Sequence, residues 1–130
     1  PLTEQIPVNY DRCKMRRIDL ETVLDVPNTS RHERNEMVDQ AASAICYALG
    51  DAHSHSFYCK LLWNLTRRYD QGQDWFLEVY DMVKRVRADR QEGFAMNAGK
   101  LLLSRLRQWG AWEELERTPM VRVGTALSKV

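Results

Sequence analysis

Long apolar runs are missing from the 130-residue sequence, and no stretch approaches the roughly 20 apolar residues that a membrane-spanning helix needs. A transmembrane helix and a membrane partner are therefore not expected. The first residues lack the basic start and apolar core of a secretory signal, which favours a cytoplasmic location. The chain begins with Pro1 rather than methionine, so processing or excision from a longer protein stays open.

Cysteine is scarce, with only Cys13, Cys46 and Cys59 in the chain. An odd count in a sequence with 44% apolar residues indicates reduced thiols and a hydrophobic core rather than a disulfide framework. An excess of one charge is also lacking, because 19 lysines and arginines face 18 acidic residues. The overall charge therefore does not attract nucleic acid or anionic lipid, and any basic surface has to be local.

Catalytic signatures are absent as well. The sequence contains no Gly-x-Ser-x-Gly elbow, no Gly-rich phosphate loop with a lysine, no His-Glu-x-x-His and no Cys-x-x-Cys. The acidic cluster of Glu113, Glu114 and Glu116 is more typical of solvated surface charge than of a paired catalytic carboxylate. We therefore expect a non-enzymatic protein with no cofactor.

Helical periodicity is the strongest pattern that the sequence does contain. Ser30 and Glu33 match a capping box, apolar residues then recur every three or four positions, and Gly50 is typical of a helix end. These features predict a first helix over 31–49. The same periodicity predicts three further helices. The second helix ends near residue 69, the third covers 74–90 and the fourth covers 98–109.

The two ends of the chain show a weaker pattern. Loose alternation of Ile18, Leu20 and Val23, broken by Pro27, indicates a short strand or an arm. We predict an all-α fold, a compact single-domain bundle of about four helices. Its parts are an N-terminal arm over 1–30, a helical core over 31–112 and a loose C-terminal tail over 113–130, which either pairs with the arm as a strand or is frayed.

Four potential metal ligands lie close together in the sequence. Cys46, His53, His55 and Cys59 are ligand types that zinc prefers, but their spacing matches no familiar zinc-finger or ribbon pattern. The alternative is that the cysteines are small apolar core residues and the histidines are exposed loop residues. A cysteine nucleophile with a histidine base is a third interpretation, which the spacing does not require. We favour the structural alternative and predict no metal.

Basic residues cluster locally in the arm and on the last predicted helix. Each phosphate that such residues neutralise adds a salt-dependent contribution to nucleic-acid binding. The candidate nucleic-acid-binding residues are Arg12, Lys14, Arg16, Arg17, Lys100, Arg105 and Arg107. Helix-dipole and ion-pair roles are favoured for a second set of cations, namely Arg67, Arg68, Lys84, Arg85 and Arg87.

Trp112 is the aromatic residue that best suits a partner-binding surface. It lies outside the apolar stripe of the last predicted helix and is followed closely by acidic residues. Tryptophan is enriched among the residues that dominate protein interfaces. We therefore expect a protein partner or a homo-oligomer, with nucleic acid as the other candidate partner.

Two segments carry a resemblance to a known family. They are Ala48-Leu-Gly-Asp-Ala-His-Ser-His-Ser-Phe-Tyr-Cys-Lys-Leu-Leu-Trp and Gly93-Phe-Ala-Met-Asn-Ala-Gly-Lys-Leu-Leu-Leu-Ser-Arg-Leu. Together they resemble a helical module of replication-initiator and DNA-binding proteins from bacterial plasmids, phages and mobile elements. Asn97-Ala98-Gly99 stands where that module has Asn-Pro-Gly. The resemblance implies structural caps and core positions, no catalytic residue, and a role in recruiting or positioning machinery for replication or other DNA transactions.

The leading prediction is a non-enzymatic nucleic-acid-associated or adaptor domain in replication or mobile-element DNA transactions. The first alternative is a protein-interaction or assembly module without nucleic-acid contact, whose aromatic and alanine-rich helix surfaces bind a partner or a second copy. The second alternative is a small zinc-dependent or thiol-dependent enzyme. Salt-sensitive nucleic-acid binding, concentration-dependent mass and stoichiometric zinc distinguish the three.

Overall fold

The computed structural model describes residues 19–118. Within this range the chain forms six α-helices joined by short turns and 3-10 segments, and it contains no β-strand. The helices are α1 (Thr22–Asp25), α2 (Arg34–Leu49), α3 (His55–Asp70), α4 (Phe76–Gln91), α5 (Ala98–Gln108) and α6 (Trp112–Glu116). The predicted all-α bundle is confirmed. No helix of this part of the chain is long and apolar enough to cross a membrane.

Helix α2 packs against α1, α3 and α4. Small side chains make up much of its buried face, and Ala41, Ala42, Ala44 and Ala48 are all buried. Small residues at a helix contact allow the neighbouring helix axes to come close together. The alanine-rich surface that the assembly alternative assigns to a partner is therefore already covered by the chain itself.

The start of α2 differs in detail from the predicted capping box. Ser30 has extended backbone and its carbonyl oxygen accepts from the Glu33 amide (3.0 Å), but no side chain caps this helical segment. A 3-10 turn over Arg31–Glu33 comes first, so the α-helix begins at Arg34 rather than at 31. The predicted end is confirmed, because Gly50 follows the helix in the left-handed conformation with φ of 63°.

The prediction of a strand or an arm is wrong for residues 19–30. Leu20, Val23 and Val26 recur every three residues, and all three are buried in the core. They lie just before α1, on α1 and on the 3-10 turn Val26–Asn28 that continues it. A spacing of three places side chains on one face of a tight helical turn, whereas a strand requires a spacing of two.

The description of residue 113 onwards as a loose tail is wrong for residues 113–118. Leu115 lies on α6 and is fully buried. Arg68 on α3 donates from Nε to Thr118 Oγ1 (2.8 Å) and from Nη2 to the Glu114 carbonyl oxygen (2.6 Å). These contacts attach α6 to the helical core. Residues 119–130, which include the strand predicted to pair with the arm, lie outside the described residues.

Candidate functional site

A groove of about 620 Å³ lies between α2, the C-terminal half of α4 and the segment that leads into α1. Arg87 and Arg90 on α4 contribute its positive charge, and they lie about one helical turn apart. We call this the arginine groove. Its complete lining is Asp19, Leu20, Ala44, Tyr47, Ala48, Arg87, Arg90 and Gln91.

Arg90 is anchored at the C-terminal end of α2. Its Nη1 donates to the Ala48 carbonyl oxygen (3.4 Å), and its guanidinium lies against Gly50. The carbonyl groups at a helix C-terminus carry partial negative charge, which favours a cation at this position. A guanidinium has five N–H donors, and Arg90 is an exposed residue. It can therefore hold α2 and still donate to a ligand in the groove.

Arg87 is half-buried, and its charge acts on the Tyr80 hydroxyl together with the charges of acidic residues. Burial raises the pKa of the Tyr80 hydroxyl, the negative charge of Glu21 raises it further, and the positive charge of Arg87 opposes this rise. Asp19 acts on the same hydroxyl in the same direction as Glu21. The arginine groove therefore has mixed charge, with cations from α4 and Asp19 from the segment before α1.

Tyr47 presents an aromatic ring at the arginine groove, and 65% of this residue is exposed. Exposed aromatic rings beside cationic side chains form the platforms on which bases of single-stranded nucleic acids stack. The sequence analysis did not select Tyr47 or Arg90, and it favoured a helix-dipole or ion-pair role for Arg87. The spacing of the two arginines was a signal for a shared face, but the position of α2 opposite them depends on the tertiary fold.

The predicted nucleic-acid-binding residues do not form one surface in the described part of the chain. Lys100 and Arg107 are both exposed, and they share the outward face of α5 about two helical turns apart. Arg105 lies on a different face, where its Nη2 donates to Asp89 Oδ2 on α4 (2.7 Å). The remaining candidates lie outside the described residues: Arg12, Lys14, Arg16 and Arg17.

Trp112, the predicted partner-binding residue, is half-buried and packs against the hydrophobic core. The rest of its surface lines a small groove of about 200 Å³ between α3 and α6. Phe57, Leu61 and Leu115 lie in the same groove. Part of the indole therefore stabilises the fold, and its role in partner binding stays a prediction.

Of the four potential metal ligands Cys46, His53, His55 and Cys59, only His55 and Cys59 belong to a group of neighbouring donor atoms. His55 and Cys59 lie one turn apart on α3, and Cys59 Sγ is 3.7 Å from His55 Nδ1. The third member is Asp39 on α2, whose Oδ1 is 3.1 Å from His55 Nε2. Among residues 19–118, these three alone form a group of potential metal ligands with all donor atoms within 4.8 Å of one another. Cys46 and His53 do not belong to this group.

The two described thiols have raised pKa values. Burial, followed by the negative charge of Asp51, raises the pKa of Cys46 to about 11. Burial and then the negative charge of Asp39 raise the pKa of Cys59. Because the thiolate is the nucleophilic form, a raised pKa lowers its population at neutral pH. Both shifts are opposite in direction to the lowered pKa of an activated catalytic cysteine.

The two segments that carry the family resemblance contact each other where α2 ends and α5 begins. Tyr58 is 1% exposed, and its hydroxyl donates to Asp51 Oδ2 (2.9 Å). Gly99 packs so closely here that an added Cβ would lie 2.9 Å from Asp51 Cγ. The Asn97 side chain caps α5 by accepting from the Lys100 amide (3.0 Å). The contacts of these residues join and cap helices, which are structural roles.

Comparison with known proteins gives no match to this chain. No family model matches it, and neither does any curated protein sequence or solved structure.

Proposed function

We propose that this domain is a non-enzymatic nucleic-acid-binding module that contacts phosphates and bases at the arginine groove. The observation that carries the proposal is the combination of Arg87 and Arg90 with the exposed ring of Tyr47 in one groove. Arginine suits phosphate oxygens because its donors form a fixed fork. A neighbouring aromatic ring adds a stacking surface that accepts any base.

The position of the basic arm in the sequence supports the same surface. Asp19 lines the arginine groove, and Arg16 and Arg17 precede it by three and two residues. Cations of the arm can add to those of α4 on one ligand.

In this proposal, local groups of cations attract the nucleic acid, because the overall charge of the chain is nearly neutral. The whole sequence carries a formal net charge of +1, so binding depends on how cations are grouped. Lys100 and Arg107 on α5 form a second exposed pair, which suits an additional backbone contact. Arg105 is assigned a structural role in this proposal, because Asp89 already neutralises it at 2.7 Å.

Fluorescence anisotropy with labelled single-stranded DNA, duplex DNA and single-stranded RNA tests the proposal. The groove variant combines Arg87→Ala with Arg90→Ala, and its matched control combines Arg31→Ala with Arg117→Ala. The control removes the same charge from side chains that are 82% and 75% exposed and that do not line the groove. Circular dichroism and urea unfolding establish that both variants are folded, because Arg90 also contacts α2.

We expect single-stranded nucleic acid to bind and the groove variant to lose about tenfold in affinity, which equals about 1.4 kcal/mol. An arm variant with Arg12, Lys14, Arg16 and Arg17 changed to alanine is expected to lose affinity as well. The control should keep the wild-type affinity. Absence of binding at low salt would refute the proposal, and so would equal losses in the groove variant and the control.

A protein-interaction module is the second candidate function, and one observation favours it. Phe94 and Met96, in the loop between α4 and α5, are 75% and 99% exposed. Exposed apolar residues that lie together often mark interaction surfaces. Size-exclusion chromatography with light scattering tests for self-association. A mass that rises with concentration, and returns to that of a monomer when both residues become serine, would support this candidate. Leu77→Ser, at an apolar residue 58% exposed on α4, is the control.

A further inference from the structure

Asp39, His55 and Cys59 bring three different donor atoms together at the contact between α2 and α3. His55 and Cys59 are four residues apart on α3, so both side chains project from one face of that helix. Asp39 on α2 completes the group, and all donor atoms lie within 4.8 Å of one another. We propose that these three residues bind one Zn²⁺ ion and thereby link α2 to α3.

The distances suit a tetrahedral ion. Zinc lies about 2.0–2.2 Å from nitrogen and oxygen ligands and about 2.3 Å from sulfur, so tetrahedral angles place oxygen and nitrogen about 3.3 Å apart and sulfur and nitrogen about 3.6 Å apart. Asp39 Oδ1 lies 3.1 Å from His55 Nε2, and Cys59 Sγ lies 3.9 Å from the same nitrogen. The oxygen–nitrogen spacing therefore fits a shared ion, whereas Cys59 Sγ also lies 3.7 Å from His55 Nδ1, so binding requires rotation of the imidazole or the thiol to face the ion.

The donor types select the metal. A thiolate, an imidazole and a carboxylate suit zinc, whereas magnesium and calcium prefer sites made of oxygen alone. A dication would also compensate the negative charge that Asp39 places next to the Cys59 thiol. Two of the three side chains are partly open to solvent, at 65% for Asp39 and 37% for His55. The ion therefore has an entry path without opening of the core.

A cleft beside the three residues provides room for a fourth ligand. It has a volume of about 620 Å³ and includes Asp39 and Cys59 in its lining. His32 and Glu36 line the same cleft, and both are exposed. Water or one of these side chains can complete the tetrahedron. Three protein ligands and one open position are also the arrangement of zinc sites that bind exogenous ligands.

This site differs from the group of four potential ligands in the sequence, for which no metal was predicted. His53 lies in the exposed 3-10 turn Ala52–Ser54, and Cys46 is not in the group of neighbouring donor atoms. Asp39 takes their place from another helix. The two residues that are not ligands are therefore matched controls, since each has the same side-chain type as a proposed ligand.

The test uses the full chain with Cys13→Ser under reducing conditions, so that Cys13 cannot contribute a ligand. Zn²⁺ alone is titrated by calorimetry, and Co²⁺ replaces it for absorption spectroscopy because Zn²⁺ has no visible spectrum. We expect one ion per chain, a tetrahedral Co²⁺ spectrum with a thiolate-to-metal band, and a melting temperature that rises with zinc concentration. The thiolate band should disappear in Cys59→Ser.

Removal of a direct ligand should weaken zinc binding by more than the roughly 10–100-fold that loss of an outer hydrogen-bond partner costs. This applies to Asp39→Ala, His55→Ala and Cys59→Ser, whereas Cys46→Ser and His53→Ala should bind as the parent does. Circular dichroism without metal establishes that each variant is folded. Absence of stoichiometric binding would overturn the proposal and leave an ordinary hydrogen bond between Asp39 and His55. Equal losses in the controls would overturn it too.

Discussion

Replacement of Gly99 by alanine should destabilise the domain, although a glycine-to-alanine change inside a helix usually stabilises it by about 0.5–1 kcal/mol. Gly99 lies in the first turn of α5. An added Cβ would lie 2.9 Å from Asp51 Cγ and would overlap the carboxylate oxygen Oδ2. The carboxylate cannot simply turn away, because Oδ2 accepts the hydrogen bond from the buried Tyr58 hydroxyl (2.9 Å).

The magnitude follows from two opposing contributions. Overpacking at a tight contact costs about 1–3 kcal/mol, and the helix preference of alanine offsets about 0.5–1 kcal/mol of that. We therefore expect Gly99→Ala to lower the free energy of unfolding by about 1 kcal/mol, within a range of about 0–2.5 kcal/mol. Gly110→Ala is the matched control, because nothing lies within 4 Å of its added Cβ. The control should change stability by no more than about 0.5 kcal/mol.

Urea unfolding followed by tryptophan fluorescence measures both effects, and a double-mutant cycle with Asp51→Ala identifies the cause. Without the Asp51 carboxylate, the added methyl group has nothing to overlap, so Gly99→Ala should become neutral or stabilising. The expected coupling energy is about 1–3 kcal/mol. A stabilising effect of Gly99→Ala in the wild-type background, or the same loss with and without Asp51, would refute this reasoning.

Three further predictions concern stability. Leu115→Ala should cost about 2–5 kcal/mol in urea unfolding because the side chain is fully buried, whereas a loose tail would make it neutral. Tyr58→Phe should cost about 1.5–3 kcal/mol because it removes a hydrogen bond to a carboxylate, and the exposed Tyr47→Phe should cost nothing. Burial raises the pKa of Cys46 to about 11 in the folded state, against an ordinary value of 9.0, so the unfolded thiol loses its proton first. Stability should therefore fall between pH 9 and 11, less steeply in Cys46→Ala; an unchanged slope would contradict this.

The main helices could be predicted from the sequence because their signals are local. Gly50 ends α2, and Asn97 caps α5 through its side chain, as expected. The short helices α1 and α6 could not be assigned in the same way. Each buries few apolar side chains, with Val23 on α1 and Leu115 on α6. Their stability depends on packing against the long helices, which a local pattern does not contain.

The candidate sites were harder to predict because each joins residues from separate helices. His55 and Cys59 were considered as ligands because of their side-chain types and their closeness in the sequence, although no metal was predicted. Asp39 comes from α2 and has no sequence signature of its own. Arg87 and Arg90 also share one helix, and it is the packing of α2 beside α4 that forms the groove around them. In both cases, the residues that complete the site come from another helix, and only the tertiary fold brings them together.

The salt dependence of single-stranded DNA binding tests the central claim most directly. A plot of log K against log salt has a slope of about −0.7 for each phosphate that a protein neutralises on a single strand. The variant with Arg87→Ala and Arg90→Ala should therefore have a slope shallower than the wild type by about 1.4, whereas the control with Arg31→Ala and Arg117→Ala should keep the wild-type slope. Equal slopes for all three proteins would contradict the assignment of the arginine groove as the nucleic-acid-binding surface.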